Sequence, residues 1–145
     1  MSEQTKLMNQ YVADLGVLNV KFHNLHWNVV GERFKPVHEY VETLYDMLFE
    51  NYDEVAERMK MLGEYPYASL KRYLEVTNIK ELDERDYQIP EVYKILKEDI
   101  ESLKSLATEI RKIADEAGDF GTVALLEDQV AAYDKELWFM AQALK

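Results

Sequence analysis

The stretch FHNLHWNVVGERFKPVH, residues 22–38, contains the end of one helical pattern and the beginning of the next. Apolar residues recur every three or four positions from Leu7, ahead of the stretch, to Val29 within it, which is the spacing of one face of an α-helix. Gly31 suits the position just past a helix C-terminus, and Pro36 suits the first turn of a new helix. The stretch therefore predicts a short turn between two antiparallel helices.

Three further apolar patterns with helical spacing follow this turn. They run over 37–62, 92–117 and 123–144, and glycines at 63 and 118 end the first two. The connection between the last two patterns is short, so their helices are also predicted to be antiparallel neighbours. Glycine (5) and proline (3) are scarce, which favours long helices over a β-sandwich with frequent turns.

The connection between the two predicted hairpins is long. It runs from Glu64 to Pro90 and contains a short apolar pattern over 68–76, which predicts a short helix. Two helical hairpins joined by a long crossover form the ferritin-like four-helix topology, whereas an up-down bundle has short loops throughout. We therefore expect an all-α fold with a single domain over 1–145. A plain helical bundle without chemistry stays open at this point.

Composition and charge exclude several classes of function. The chain has no cysteine, so disulfides, thiolate nucleophiles, cysteine-ligated zinc and iron–sulfur clusters are ruled out. Its formal net charge of −11 disfavours binding to nucleic acid, and neither end of the chain is rich in lysine or arginine. The sequence has no apolar run of membrane-spanning length and no signal peptide, so we expect a cytoplasmic protein with no membrane partner.

Four side chains suggest a metal site. His26 and His38 should lie at the same level of the first hairpin, and Asp53 and Glu57 are one turn apart on the second helix. Imidazole and carboxylate together suit iron, zinc or manganese. Yet His38 and Asp53 are 15 residues apart on one helix, about 22 Å at 1.5 Å per residue. Two copies with antiparallel second helices would bring the two halves together, so we predict paired sites between subunits.

The same residues also have ordinary structural interpretations. Histidines at a helix edge often satisfy local hydrogen bonds, and acids one turn apart often form a solvated face. The spacing of Glu54 and Arg58 permits an ion pair within the second helix. No histidine has a glutamate three positions before it, so a di-iron site inside a single bundle is not expected.

Several motifs resemble those of the Dps family, the mini-ferritins. They are Asn24-Leu25-His26-Trp27-Asn28-Val29-Val30-Gly31, His38-Glu39, Leu44-Tyr45, Asp53-Glu54-Val55-Ala56-Glu57-Arg58 and Asp134-Lys135 followed by Trp138. The resemblance covers nearly the whole chain. It implies a hollow shell of twelve four-helix subunits with ferroxidase sites at two-fold interfaces.

The resemblance also implies residue roles. His26 and His38 of one subunit and Asp53 and Glu57 of its partner would be the iron ligands. The family usually has an aspartate at the position of Glu42. That aspartate serves as an additional metal ligand or as a carboxylate that contacts the ligands. Trp27 would pack near the site, although a core aromatic is an equally good interpretation, and His23 would lie at most behind the ligands.

The chemistry implied by the resemblance is oxidation of Fe(II), with hydrogen peroxide preferred over oxygen, and storage of the ferric mineral inside the shell. Iron is the only metal implied, and no organic cofactor is expected. Asp115 and Asp119 are candidates for the acidic lining of an iron-entry pore, although complementing the dipole at the N-terminus of the last helix is as good an interpretation. Direct DNA binding is not expected, because the basic tail of DNA-binding relatives is missing. Two alternatives stay open: a DNA-compacting structural protein, and a helical oligomer that binds another metal without oxidising iron.

Overall fold

The computed structural model describes all residues, Met1–Lys145. Four long helices form the bundle: α1 (Glu3–Asn28), α2 (Phe34–Met61), α4 (Ile89–Glu116) and α5 (Phe120–Ala143). The crossover contains the short helix α3 (Leu70–Val76), as predicted. The sequence patterns locate each of these elements to within a few residues.

One element was not predicted. Val29–Val30 (β1) forms a two-residue parallel pair with Tyr87–Gln88 (β2), with Val29 opposite Tyr87. This pair ties the turn after α1 to the end of the crossover. Two-residue strands leave no periodicity in a sequence, so the helical patterns gave no sign of it.

Contacts at the two ends of the bundle establish the chain direction. At one end, Gln4 and Arg58 both donate hydrogen bonds to Asp119 in the turn between α4 and α5. At the other end, the Tyr40 hydroxyl donates to Glu136, and the Tyr40 ring lies near that of Tyr93. The starts of α2 and α4 are thus at the same end, so these helices run in the same direction. The crossover spans the bundle, which confirms the ferritin-like topology.

The core lies between the four long helices and is built from the predicted apolar faces. Large side chains that are fully buried come from all four of them, for example Phe22, Leu48, Leu96 and Tyr133. A buried hydrogen-bond network crosses this core. The Tyr11 and Tyr133 hydroxyls are hydrogen-bonded to each other, and Tyr11 also donates to Gln129 Oε1 at 2.7 Å. No helix is both long and apolar enough to span a membrane.

Candidate metal centre

The turn between α1 and α2 brings two imidazoles together. His26 lies in the last turn of α1 and His38 in the second turn of α2. Their rings stack with centroids 3.6 Å apart and planes 13° apart. The predicted proximity of these two side chains is therefore confirmed. We call this pair the histidine half.

Each histidine is held by the backbone of the other. His26 Nδ1 lies 2.7 Å from the His38 carbonyl oxygen, and His38 Nδ1 lies 2.6 Å from the His26 carbonyl oxygen. A carbonyl oxygen can only accept, so Nδ1 carries the hydrogen in both rings. In the neutral imidazole Nε2 is then unprotonated and available as a metal ligand. The fold thus determines both the orientation and the tautomer of the pair.

Glu42 lies beside the histidine half. Its Oε1 is 3.7 Å from His26 Nε2 and 3.4 Å from the Tyr45 hydroxyl, which donates to it. His26 is 6% exposed whereas the Glu42 side chain is 55% exposed. The carboxylate can therefore turn toward an ion held by the imidazoles without crossing the core.

Aromatic rings surround the histidine half. His23 stacks on Tyr45 with centroids 3.8 Å apart and meets His26 edge-on at 6.4 Å. Its Nδ1 donates to the Asn19 carbonyl oxygen at 2.6 Å. Trp27 lies 5.5 Å from His23, but it is 67% exposed, so the interpretation of Trp27 as a core aromatic is wrong.

Asp53 and Glu57 form a second group, which we call the acid half. Both side chains are exposed on α2 and neither has a cationic partner in an ion pair. A hydrogen bond and the charge of Asp53 raise the pKa of Glu57, because two carboxylates share this small space. A cation bound between them would relieve this repulsion.

The ion pair considered between Glu54 and Arg58 is not formed. Arg58 NH2 lies 2.6 Å from Asp119 Oδ1, and Glu54 accepts a hydrogen bond from Gln129 at 3.3 Å. Both side chains turn toward α5, which leaves the acid half alone on the outer face of α2.

One copy of the chain does not bring the two halves together. No group of three or more histidine, aspartate or glutamate side chains within it could hold a metal ion. Both halves lie on the continuous helix α2, where 15 residues separate His38 from Asp53, about 22 Å. The structure thus contains two separate groups of candidate ligands on one chain.

The two candidate pore residues have other partners. Asp119 caps α5 by accepting from the Thr122 backbone N–H, and its oxygens also accept from Thr122 Oγ1, Gln4 and Arg58. Burial raises the pKa of Asp119, but these hydrogen bonds outweigh it and lower the pKa to about 2. Asp115 lies 3.7 Å from Arg111. Asp119 thus caps α5, and the pore role of Asp115 and Asp119 stays a prediction.

Comparison with known proteins identifies the family. A family model described as a ferritin-like domain matches residues 5–145. The DNA protection during starvation protein of Helicobacter pylori (strain J99) is 32% identical over 135 residues, which are 93% of this chain and 94% of that protein. The chain belongs to the Dps branch of the ferritin-like family.

Solved structures, one of a Dps protein among them, have the same fold. Dps from Listeria innocua, soaked with zinc, has a TM-score of 0.93 and 30% identity, covering 98% of this chain and 96% of that one. The antigen TpF1 of Treponema pallidum has a TM-score of 0.96 and 35% identity, covering 98% and 91%. Membership of the Dps branch is consistent with a role in iron storage and protection.

Sequence reasoning overlooked two features of this Dps protein. Tyr45 was noted only as part of a motif, although its position three residues after Glu42 could have suggested a contact within α2. The backbone carbonyls that fix the two imidazoles leave no mark in the sequence, because every residue has one.

Proposed function

We propose that this Dps protein oxidises Fe(II), preferably with hydrogen peroxide, at sites shared by two subunits. The ferric product would be stored inside a shell of twelve subunits built from two-fold dimers. Iron is the substrate here, and no organic cofactor takes part. The observation that carries the proposal is the reciprocal bonding of His26 and His38, which leaves both Nε2 atoms free on a rigid hairpin.

Rigid imidazoles favour capture of a metal ion. His26 and His38 make no large conformational adjustment on binding, so little entropy is lost when the ion arrives. Two neutral nitrogens alone leave an Fe(II) ion undercharged, and carboxylates would supply the missing negative charge. Glu42 is near enough to contribute one, and the proposed remainder comes from Asp53 and Glu57 of a second copy.

The surface of α2 supports pairing with a second copy. Tyr45, Phe49, Asp53 and Glu57 follow one another at intervals of four residues, so they lie along one face of the helix. Phe49 is 57% exposed on this face. If His38 of one copy meets Glu57 of the other in antiparallel α2 helices, the midpoint of the contact falls beside Phe49. An exposed apolar side chain would then be covered at the two-fold axis.

The proposed reaction uses two iron ions for each peroxide. Each Fe(II) gives one electron, and hydrogen peroxide takes two electrons and two protons to give two waters. Delivering both electrons together avoids release of a hydroxyl radical, which would be the benefit to the cell. Glu42 lies beside the histidine half and could exchange protons during this step, as could the carboxylates proposed to come from the second copy.

Anaerobic loading with Fe(II), followed by hydrogen peroxide, tests the proposal. We expect about two Fe(II) oxidised per peroxide by ferric absorbance. His26→Ala and Asp53→Asn should each slow the oxidation by at least about 10–100-fold, because each removes a ligand. Glu50→Gln is the matched control, since it removes an exposed charge from the same helix outside both halves.

Two outcomes would contradict the proposal. One is oxidation of about one Fe(II) per peroxide with formation of radicals. The other is an unchanged rate in both ligand variants, which would favour a helical oligomer that binds another metal. DNA compaction is the other alternative, and the net charge of −11 argues against it. If adding the protein does not change the mobility of DNA in a gel, DNA compaction is excluded.

A further inference from the structure

A buried carboxylate lies between α1, α4 and the crossover, apart from both halves of the candidate site. Asp14 is 2% exposed. Its Oδ1 accepts two hydrogen bonds, from the Thr77 hydroxyl at 2.6 Å and from the Asn78 backbone N–H at 3.0 Å. Its Oδ2 accepts none from the protein, and Asp14 lines a cleft on this side. One oxygen of the carboxylate is thus satisfied and the other is open.

No cationic side chain balances the charge of Asp14. The neighbouring buried acid, Asp99, has Lys21 at 2.8 Å, whereas Asp14 has no ion pair. Burial raises the pKa of Asp14, the hydrogen bonds from Thr77 and Asn78 partly offset this, and the charge of Asp99 adds to the rise. An uncompensated buried charge is costly, so the site favours a cation or a proton next to Oδ2.

The cleft in front of Asp14 is lined mostly by side chains that carry oxygen atoms. It has a volume of about 260 Å³. Gln10 and Asp14 line it from α1, and Ser102, Ser105 and Glu109 line it from α4. The α4 residues follow at intervals of three and four, so they lie on one helix face. The remaining lining residues are Leu7, Asn78 and Leu106, so no lysine, arginine or histidine lines the cleft.

We propose that this cleft binds a hydrated divalent cation of the Mg²⁺ type, anchored by Asp14 Oδ2. Hard cations prefer carboxylate, carbonyl and hydroxyl oxygens, which are the groups present. Mg²⁺ usually keeps several waters and is held by one or two carboxylates, here Asp14 and Glu109. At about 30 Å³ per water, the cleft has room for a cation with its water shell. This site is separate from the proposed iron site and does not depend on it.

Binding of Mn²⁺, used as a paramagnetic probe for the Mg²⁺ class, tests this site in the full chain. Electron paramagnetic resonance counts free Mn²⁺ during a titration, and the ions assigned to the cleft are those that excess Mg²⁺ releases, because imidazole sites do not favour Mg²⁺. We expect Asp14→Asn to weaken this binding by at least about tenfold, because affinity follows the charge of the ligands. Asparagine keeps an oxygen that accepts from Thr77 and Asn78, so the fold is preserved.

Two more variants complete the design. Ser102→Ala with Ser105→Ala removes oxygens from the opposite wall, so it should weaken binding while leaving Asp14 untouched. Glu101→Gln removes an exposed charge from α4 beside the cleft and should change nothing. Equal Mn²⁺ binding by wild type, Asp14→Asn and the double serine variant would overturn the proposal. A protonated Asp14 would give this result, because wild type would then bind no more Mn²⁺ than Asp14→Asn.

Discussion

The two halves of the candidate metal site differ in how the fold holds them. The histidine half lies at a tight turn, where each imidazole donates to the backbone of the other and both rings stack. The acid half lies toward the C-terminal end of α2, where Asp53 and Glu57 are exposed and have only each other. The histidine half is preorganised within a single copy, whereas no contact with the rest of the chain fixes the carboxylates of the acid half.

This difference suggests how the work of binding is divided. A preorganised pair of neutral ligands binds an ion without reorganising, but it lacks negative charge. The exposed carboxylates supply charge, but their mutual repulsion makes them a poor site by themselves. Each half therefore has what the other lacks, and we expect neither to oxidise iron alone.

The largest effect should come from separating the halves without touching a ligand. Phe49→Asp places a carboxylate beside the proposed two-fold axis, where it would be buried against the partner and lie near Asp53. Loss of a central apolar contact typically costs 2 kcal/mol or more, so we expect pairing to weaken by at least about thirtyfold. Size-exclusion chromatography with light scattering measures the assembly, and iron oxidation should fall with it.

Circular dichroism should show an unchanged helix content for Phe49→Asp, because the side chain is outside the core of a single copy. Thr108→Asp is the matched control, since it adds the same charge to an exposed position on α4. If the Phe49→Asp protein assembles and oxidises iron like the control, the second copy does not pack on the face of α2 that carries Phe49.

An intermediate effect is expected from the ion pair between Arg58 and Asp119, which lies next to the acid half. Arg58→Ala removes the partner of Asp119 at the end of the bundle, and we expect it to lower the free energy of unfolding by about 1–3 kcal/mol at pH 7. The pKa of Asp119 is about 2 when folded, against about 3.9 for an unperturbed aspartate. A carboxylate whose pKa is lower in the folded state stabilises the protein at pH values above its unfolded-state pKa. This stabilisation is lost as the pH falls toward its folded-state pKa.

Urea denaturation at several pH values measures this contribution. The difference in unfolding free energy between wild type and Arg58→Ala should be full above about pH 4 and shrink toward pH 2. A difference that does not change with pH would mean that Arg58 stabilises the fold by packing alone. The measurement thus reports how Arg58 stabilises this end of the bundle, independently of any role of Asp53 and Glu57 in iron oxidation.

The smallest effect is expected beside the histidine half. Tyr45→Phe removes the hydroxyl that donates to Glu42 but keeps the ring that stacks on His23. The bond is long, at 3.4 Å, so we expect the oxidation rate to change by less than about threefold. A loss as large as that of His26→Ala, measured in the same assay, would assign Tyr45 a direct part in the reaction.

The sequence predicts the fold well because its signals are local. Helical periodicity, the glycines after the helices and the length of the crossover are all visible along the chain. The proximity of His26 and His38 also follows from the short turn between them. The β1–β2 pair escapes prediction because it depends on a contact between the distant residues Val29 and Tyr87.

Side-chain partners are less predictable than helices. Arg58 has an acid one turn away in Glu54, but it pairs with Asp119, which is 61 residues along the chain. The capping role of Asp119 could be foreseen from its place before α5, whereas its contacts with Gln4 and Arg58 depend on how three helix ends meet. Spacing identifies candidate ligands, but it does not say which acids are free.

Complementation between two inactive variants tests the central claim most directly. One variant carries His26→Ala and His38→Ala, and the other carries Asp53→Asn and Glu57→Gln. If the halves come from different subunits, a mixed pair regains one intact site, so random reassembly should restore about a quarter of the wild-type sites. The measurement is peroxide-driven iron oxidation after the two proteins are unfolded and refolded together. We predict recovery near this level in the mixture and none when each variant is refolded alone. No recovery in a mixture that assembles normally would contradict a site shared between subunits.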